Sequence, residues 1–362
     1  MEAAVGSSVA SGGRGRRSNV WAGAIAALAA FALTAAPARA DHSLTTLLSV
    51  PGPSHETYLG GVSADGSKVF FNTDQALLPE DTDLVDDVYQ RSGGALTLVS
   101  VGTVQRADFS DTSADGERVF FQTREALLPT DSDQSWDVYE RTGGTTTHVS
   151  TGPFDDGAFN VDLAGVSADG ARVFFQTQER MVSADNDSSW DVYERTGGVT
   201  SLRTDGLAAA DPALDAFFTA MSDDGARIFF QTSEALVSAD TDVLKQDVYE
   251  SAGGNTTLVS VGSLSNAASH VNFGGISDDG TRVFWDTSDR LEPADADGLW
   301  DVYERSGATT RLVSTGPADD ETAGGNASFA GSSADGTRVF FTSYDRLVAG
   351  DDLDEDNWDL YG

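Results

Sequence analysis

Ser113-Ala114-Asp115-Gly116-Glu117-Arg118-Val119-Phe120-Phe121 decides the fold, because the chain returns to this pattern in six units. The Asp-Gly pair recurs at Asp65, Asp115, Asp169, Asp224, Asp279 and Asp335, in steps of 50, 54, 55, 55 and 56 residues. Ser stands two residues before each Asp. A β-branched residue and two aromatics follow each turn, from Val69-Phe70-Phe71 to Val339-Phe340-Phe341. Every unit then carries Asp-Val-Tyr or Asp-Leu-Tyr, ending on Tyr89, Tyr139, Tyr193, Tyr249, Tyr303 and Tyr361. A period of this length denotes a solenoid, a propeller or an array.

Each unit reads as four strands. Strand A precedes the turn, as in Tyr58 to Ser63. Ser-x-Asp-Gly supplies the turn, with Gly taking a positive φ and Ser or Asp bonding the backbone. Strand B holds the aromatics, and strand C begins at Asp-Val-Tyr. A Gly-rich turn such as Ser92-Gly93-Gly94 leads into strand D, such as Ala95 to Ser100. No segment shows helical periodicity with caps. Strand A carries paired small residues: Gly60-Gly61, Ala164-Gly165, Thr219-Ala220, Gly274-Gly275 and Ala330-Gly331, with Asp111-Thr112 in the second unit. Such residues suit a strand near a crowded axis.

The sixth unit stops after strand C, at Leu360-Tyr361-Gly362, while residues 44–50 read as an orphan strand D. The expected fold is therefore all-β, a six-bladed β-propeller of four-stranded antiparallel blades. The N-terminal strand completes the last blade and closes the ring.

Taken together, Ser-Ala-Asp-Gly-x-Arg-Val-Phe-Phe, an Asp-rich loop, Asp-Val-Tyr and Gly-Gly-x-Thr-x-Leu-Val-Ser resemble the TolB-type (WD-like) propeller repeat of bacterial envelope proteins. The resemblance runs from about residue 44 to the end and implies the fold. TolB's additional α/β domain, and with it a Tol-specific role, has no counterpart in the repeat.

The rest of the composition fits export. Residues 1–40 read as a signal peptide: Arg14, Arg16 and Arg17, an uncharged run from Val20 to Ala36, then Ala38-Arg39-Ala40. The mature propeller domain would span residues 41–362, free of any membrane span and secreted or periplasmic. Basic residues number 22 against 58 acidic ones, for a net charge of −36. That charge repels nucleic acid and anionic lipid. With no Cys, disulfides, thiolate metal sites and a cysteine nucleophile are excluded. The acids are 44 Asp and only 14 Glu, which points to recurring loops, since Asp favours turns.

Those loops are the candidate site. Asp-x-Asp followed by a third Asp lies between strands B and C of every unit. The sets are Asp81, Asp83, Asp87; Asp131, Asp133, Asp137; Asp185, Asp187, Asp191; Asp240, Asp242, Asp247; Asp295, Asp297, Asp301; and Asp352, Asp354, Asp359. Alternate carboxylates on a short loop converge on a hard cation, and calcium accepts irregular oxygen geometry. Turn capping by the same Asp residues is the other reading. Trp136, Trp190, Trp300 and Trp358 stand just before the strand-C Asp. They are ligand-binding candidates for a sugar or peptide, or packing groups between blades. The four His lack metal-ligand spacing, and no catalytic motif stands out.

The expected function is a monomeric, non-catalytic binding or scaffold propeller, possible calcium included. Its partner would be an envelope or extracellular protein or glycan. A calcium-dependent hydrolase or lactonase-type propeller and a purely structural surface protein are the alternatives.

Overall fold

A computed structural model of the chain describes residues 55–102, 104–154, 159–206, 214–242, 244–264, 269–317, 325–348 and 357–362. They belong to the compact unit Leu48–Gly362. The expected signal segment, residues 1–40, and the expected closing strand at 44–50 lie outside the described residues.

All described secondary structure is β. Blade 1 comprises β1 (Thr57–Val62), β2 (Lys68–Thr73), β3 (Asp87–Ser92) and β4 (Ala95–Leu98). Blade 2 follows as β5 (Ala107–Thr112), β6 (Arg118–Thr123), β7 (Asp137–Thr142) and β8 (Thr145–His148). Blade 3 is β9 (Asp162–Val166), β10 (Arg172–Thr177), β11 (Asp191–Thr196) and β12 (Val199–Leu202). Blade 4 is β13 (Ala216–Met221), β14 (Arg227–Thr232), β15 (Asp247–Ala252) and β16 (Asn255–Leu258). Blade 5 is β17 (Asn272–Ile276), β18 (Arg282–Thr287), β19 (Asp301–Ser306) and β20 (Thr309–Leu312). Blade 6 has β21 (Ala327–Ser332), β22 (Val339–Ser343) and β23 (Asp359–Tyr361). Among the described residues each blade is an antiparallel meander in sequence order, four-stranded in the first five and three-stranded in the sixth. This is a six-bladed β-propeller.

The turn chemistry is local and repeats. In blade 1 the Ser63 hydroxyl donates to Asp65 Oδ1 at 2.8 Å, and the Ser67 N–H donates to the same oxygen at 2.9 Å. Gly66 then takes φ +71°, a conformation that disfavours any side chain. These bonds hold the Asp65 carboxyl down at about 2, the Ser67 backbone bond contributing most.

Blades meet face to face, so both faces of each central strand are buried. Phe70 and Val88 of blade 1 pack with Val119, Phe121 and Tyr139 of blade 2. Phe229 and Val248 of blade 4 meet Val283, Trp285 and Tyr303 of blade 5 in the same way, three seams on. Polar side chains staple the seams as well. Asn72 donates to the Ala107 carbonyl at 2.7 Å, and Gln122 and Gln231 donate to the Val161 and Val271 carbonyls at 2.7 and 2.8 Å.

The paired small residues answer to the neighbouring blade. A β-bulge interrupts strand A at this point, between Leu59 and Gly61 in blade 1. A Cβ on Gly60 or Gly61 would come within 2.7 Å of the Phe109 ring of blade 2. In blade 2 the register places the bulge between Phe109 and Asp111. The equivalent pair is therefore Ser110-Asp111, one residue before the Asp111-Thr112 expected from sequence. Burial raises the Asp111 carboxyl above its ordinary range.

Candidate metal centres at the blade seams

Each Asp loop leaves strand B and re-enters at the first residue of strand C, so the strands fix both ends of the trio. In blades 1 to 5 the three Asp residues converge, with one carboxylate oxygen from each lying within 4.8 Å of the others. Of the sixth set, Asp352 and Asp354 lie outside the described residues, and Asp359 opens β23.

The three positions have different surroundings. The first Asp is buried and doubly engaged. Asp81 Oδ1 accepts the Asp83 N–H at 3.3 Å, and its Oδ2 accepts the Tyr89 hydroxyl. The same tyrosine bond joins Tyr139 to Asp131, Tyr193 to Asp185, Tyr249 to Asp240 and Tyr303 to Asp295. Burial first, then the adjacent carboxylate, pushes these tyrosine hydroxyls well above their ordinary range. The second Asp caps the turn, as Asp83 Oδ1 accepts the Val85 N–H at 2.9 Å and Asp187 Oδ1 the Ser189 N–H at 2.7 Å. The capping reading thus holds for one oxygen of these residues.

The third Asp is the buried one that capping leaves over. A hydroxyl two residues past the end of strand D holds its Oδ1: Ser100 for Asp87, Ser150 for Asp137, Thr204 for Asp191, Ser260 for Asp247 and Ser314 for Asp301. Asp247 is 0% exposed, and its Oδ2 has no hydrogen-bond partner. Burial drives the carboxyls of Asp87, Asp191 and Asp301 up to about 7 and that of Asp247 up to about 8. Their hydroxyl partners pull the other way, and the two companion Asp residues of each loop add to the rise. Asp137 is also raised by burial. There His148, whose Nε2 stands 3.2 Å from Asp137 Oδ1, opposes the rise.

A fourth charge reaches each of four sites from the next blade. Glu125 acts on Asp87, Glu234 on Asp191, Asp289 on Asp247 and Asp345 on Asp301. These acids stand two residues past the end of strand B of the following blade, and three of them hold the segment before strand A: Glu125 accepts the Val104 N–H at 2.9 Å, and Asp289 and Asp345 accept the Ser269 and Gly325 N–H groups. Sequence reasoning missed them. Their signal was an acid two residues after the strand-B Thr or Ser in units 2 to 6.

The tryptophans serve the seams through their backbone. Trp136 O accepts the Val161 N–H at 2.8 Å, Trp190 O that of Ala216 at 2.7 Å, and Trp300 O that of Ala327 at 2.6 Å. The Arg124 guanidinium lies 5.5 Å over the Trp136 ring. Trp358 is 45% exposed and rests against Tyr344, with ring centroids 4.3 Å apart. Asp137, His148 and Ser150 are mutually bonded but all buried, and the Ser150 hydroxyl donates to Asp137 at 2.7 Å. That geometry spends the hydroxyl on holding the carboxylate. Among the described residues no helix is long and apolar enough to cross a membrane.

No protein-family model matches the chain, and no curated protein does. Among solved structures it is similar to the β-propeller domain of the trilobed protease from Pyrococcus furiosus, described as having an open velcro topology. That match has 10% identity and a TM-score of 0.41, and covers 84% of this chain and 82% of that one. A putative TolB from Agrobacterium tumefaciens matches at 17% identity and a TM-score of 0.36, over 71% and 80% of the two chains. A post-proline cleaving enzyme from Rickettsia typhi matches at 11% identity and a TM-score of 0.42. There the alignment takes 81% of this chain and only 41% of the enzyme. TolB-like propellers and the propeller domains of peptidases are thus its structural neighbours.

Proposed function

We propose that this is an exported, non-catalytic binding or scaffold propeller whose Asp loops take calcium. One observation carries the metal reading: three carboxylate oxygens, the first Asp of each trio buried, converge within 4.8 Å in five loops, and Asp247 Oδ2 has neither solvent nor, among the described residues, a donor. Three carboxylates held this close repel one another, and burial sharpens the repulsion. A divalent cation removes it. Calcium suits the set because it takes six to eight oxygens and tolerates irregular geometry, with water and backbone carbonyls completing the shell. The donors are all hard oxygens, which disfavours soft metals.

Export rests on residues 1–40, and the fourth strand of blade 6 on residues 44–50. Binding would use the D–A connections, which vary in sequence over a constant scaffold. The expected partner is a protein or glycan of the cell envelope or exterior, met by a monomer.

Thermal melts at constant ionic strength test the calcium reading. Millimolar calcium should raise the melting temperature and magnesium should do less, because magnesium dehydrates reluctantly. Equal shifts from both ions, with no metal retained on dialysis against millimolar calcium, would reduce the loops to turn caps.

A further inference from the structure

The seams between blades carry a polar staple from the fifth residue of strand B, and blade 5 builds it from a different chemical group. In blade 1 the Asn72 amide works in both directions across the seam. It donates to the Ala107 carbonyl at 2.7 Å, and its oxygen accepts the Phe109 N–H at 3.3 Å. Gln122 and Gln231 donate to the corresponding carbonyls of Val161 and Val271. Gln176 Oε1 accepts the corresponding N–H of Phe218 at 3.2 Å.

Blade 5 has Asp286 at this position. Its Oδ1 accepts the Phe329 N–H at 3.0 Å, and its Oδ2 accepts the Ser328 hydroxyl at 2.9 Å. The carbonyl that meets a donor in the other seams belongs here to Ala327. Ala327 is placed like Val161, its N–H bonded to Trp300 O of the preceding blade as that of Val161 is to Trp136 O. An ionised carboxylate has no proton to give this carbonyl, whereas a carboxylic acid has one. The side chain is as long as that of Asn72, which makes the bond in blade 1.

We infer that Asp286 makes the seam of blades 5 and 6 a pH-dependent joint: protonated, it spans the seam in both directions as the amides do, and ionised, it holds a bare charge between the two sheets and gives Ala327 nothing. The surroundings supply no counter-charge. Asp286 is 6% exposed. Asn272 of β17 and Val302 of β19 flank it in the ladder, and β21 presents Ala327, Ser328 and Phe329. None of these ionises. On its own face of the sheet the charged groups are Arg282 and Glu304, which pair with each other at 2.5 Å at the far end of β18. Asp301 and Arg305 of β19 fall on the opposite face by alternation. Burial accordingly drives the Asp286 carboxyl up to about 6, against the pull of the Phe329 N–H and the Ser328 hydroxyl. The folded chain keeps a proton that the unfolded chain releases near 3.8. The seam is therefore tightest below about pH 4, loosens between about 4 and 6, and changes no further above that. Two pH units correspond to about a hundredfold in the equilibrium for opening it.

The full chain and its Asp286→Asn variant are compared by hydrogen exchange from pH 4 to 7.5, in chelator and at constant ionic strength. The variant keeps the amide staple at every pH. The expected result is equal protection of β21 at pH 4 and, at pH 7, about a hundredfold less protection in the parent. The amides of β5 and β9 should match between the two proteins throughout. Equal protection of β21 across the whole range would overturn the inference, and so would a difference as large in β5 and β9 as in β21. Carboxyl-carbon NMR of the labelled parent gives a reading that needs no substitution. Asp286 should titrate near pH 6, and a midpoint near 4 would overturn the joint.

Discussion

Replacing Asp247 by Asn should stabilise the metal-free protein at neutral pH and remove part of its calcium response. The Asp247 carboxyl stands at about 8 in the folded chain against 3.8 without the fold. Between those values the folded state keeps a proton that the unfolded chain has released. Stability therefore falls as pH rises from about 4 to about 8, and is flat beyond. Over the roughly three pH units up to neutrality, at about 1.4 kcal/mol each, the cost reaches on the order of 4 kcal/mol. Asn keeps an acceptor for the Ser260 hydroxyl, which Asp247 Oδ1 accepts at 2.5 Å, and carries no charge. For a chain of this length about 1.5 °C accompanies each kcal/mol, so the variant should melt about 6 °C higher at pH 7 in chelator. At pH 4 the two proteins should melt alike. With calcium at a hundred times the dissociation constant the parent regains about 2.7 kcal/mol per site, and the variant lacks that gain at blade 4. Scanning calorimetry across pH 4–8, with chelator and with calcium, measures all of this. A variant that melts below the parent at pH 8 in chelator, with the parent's pH slope intact, would refute the electrostatic account of Asp247.

Tyr139→Phe removes the hydroxyl that donates to buried Asp131 and accepts the Leu127 N–H; urea unfolding should show a loss of about 1–3 kcal/mol from the groups left unpaired. Deleting residues 41–51 should lower the melting temperature and promote aggregation, since an unfilled edge on blade 6 exposes backbone groups for pairing; light scattering and calorimetry check this, and an unchanged, monomeric protein would dismiss the closing strand. Secreted protein should begin at Asp41 on N-terminal sequencing, and a start at Met1 would remove the signal-peptide reading.

Much of this was legible along the chain because the decisive chemistry is short-range. Ser-x-Asp-Gly folds its own turn, Val-Phe-Phe and Asp-Val-Tyr state their strands, and six recurrences of both state the blades. The Asp trios were legible too, since all three members sit on one loop between two strands. Other features depend on residues roughly forty to fifty positions away, in the next blade, and a pattern within one unit does not say what it reaches in another. Among these are the acids Glu125, Glu234, Asp289 and Asp345, which add a fourth charge from across a seam. Another is the reason for Gly60-Gly61, which is the Phe109 ring of blade 2 and not the crowding of a central axis. The pairing register alone moved the blade 2 pair to Ser110-Asp111. Within each trio, the sequence determines that three carboxylates converge. Only the tertiary structure decides which oxygens the tyrosine, the serine and the backbone already hold, and that Asp247 Oδ2 is buried with no donor to meet it.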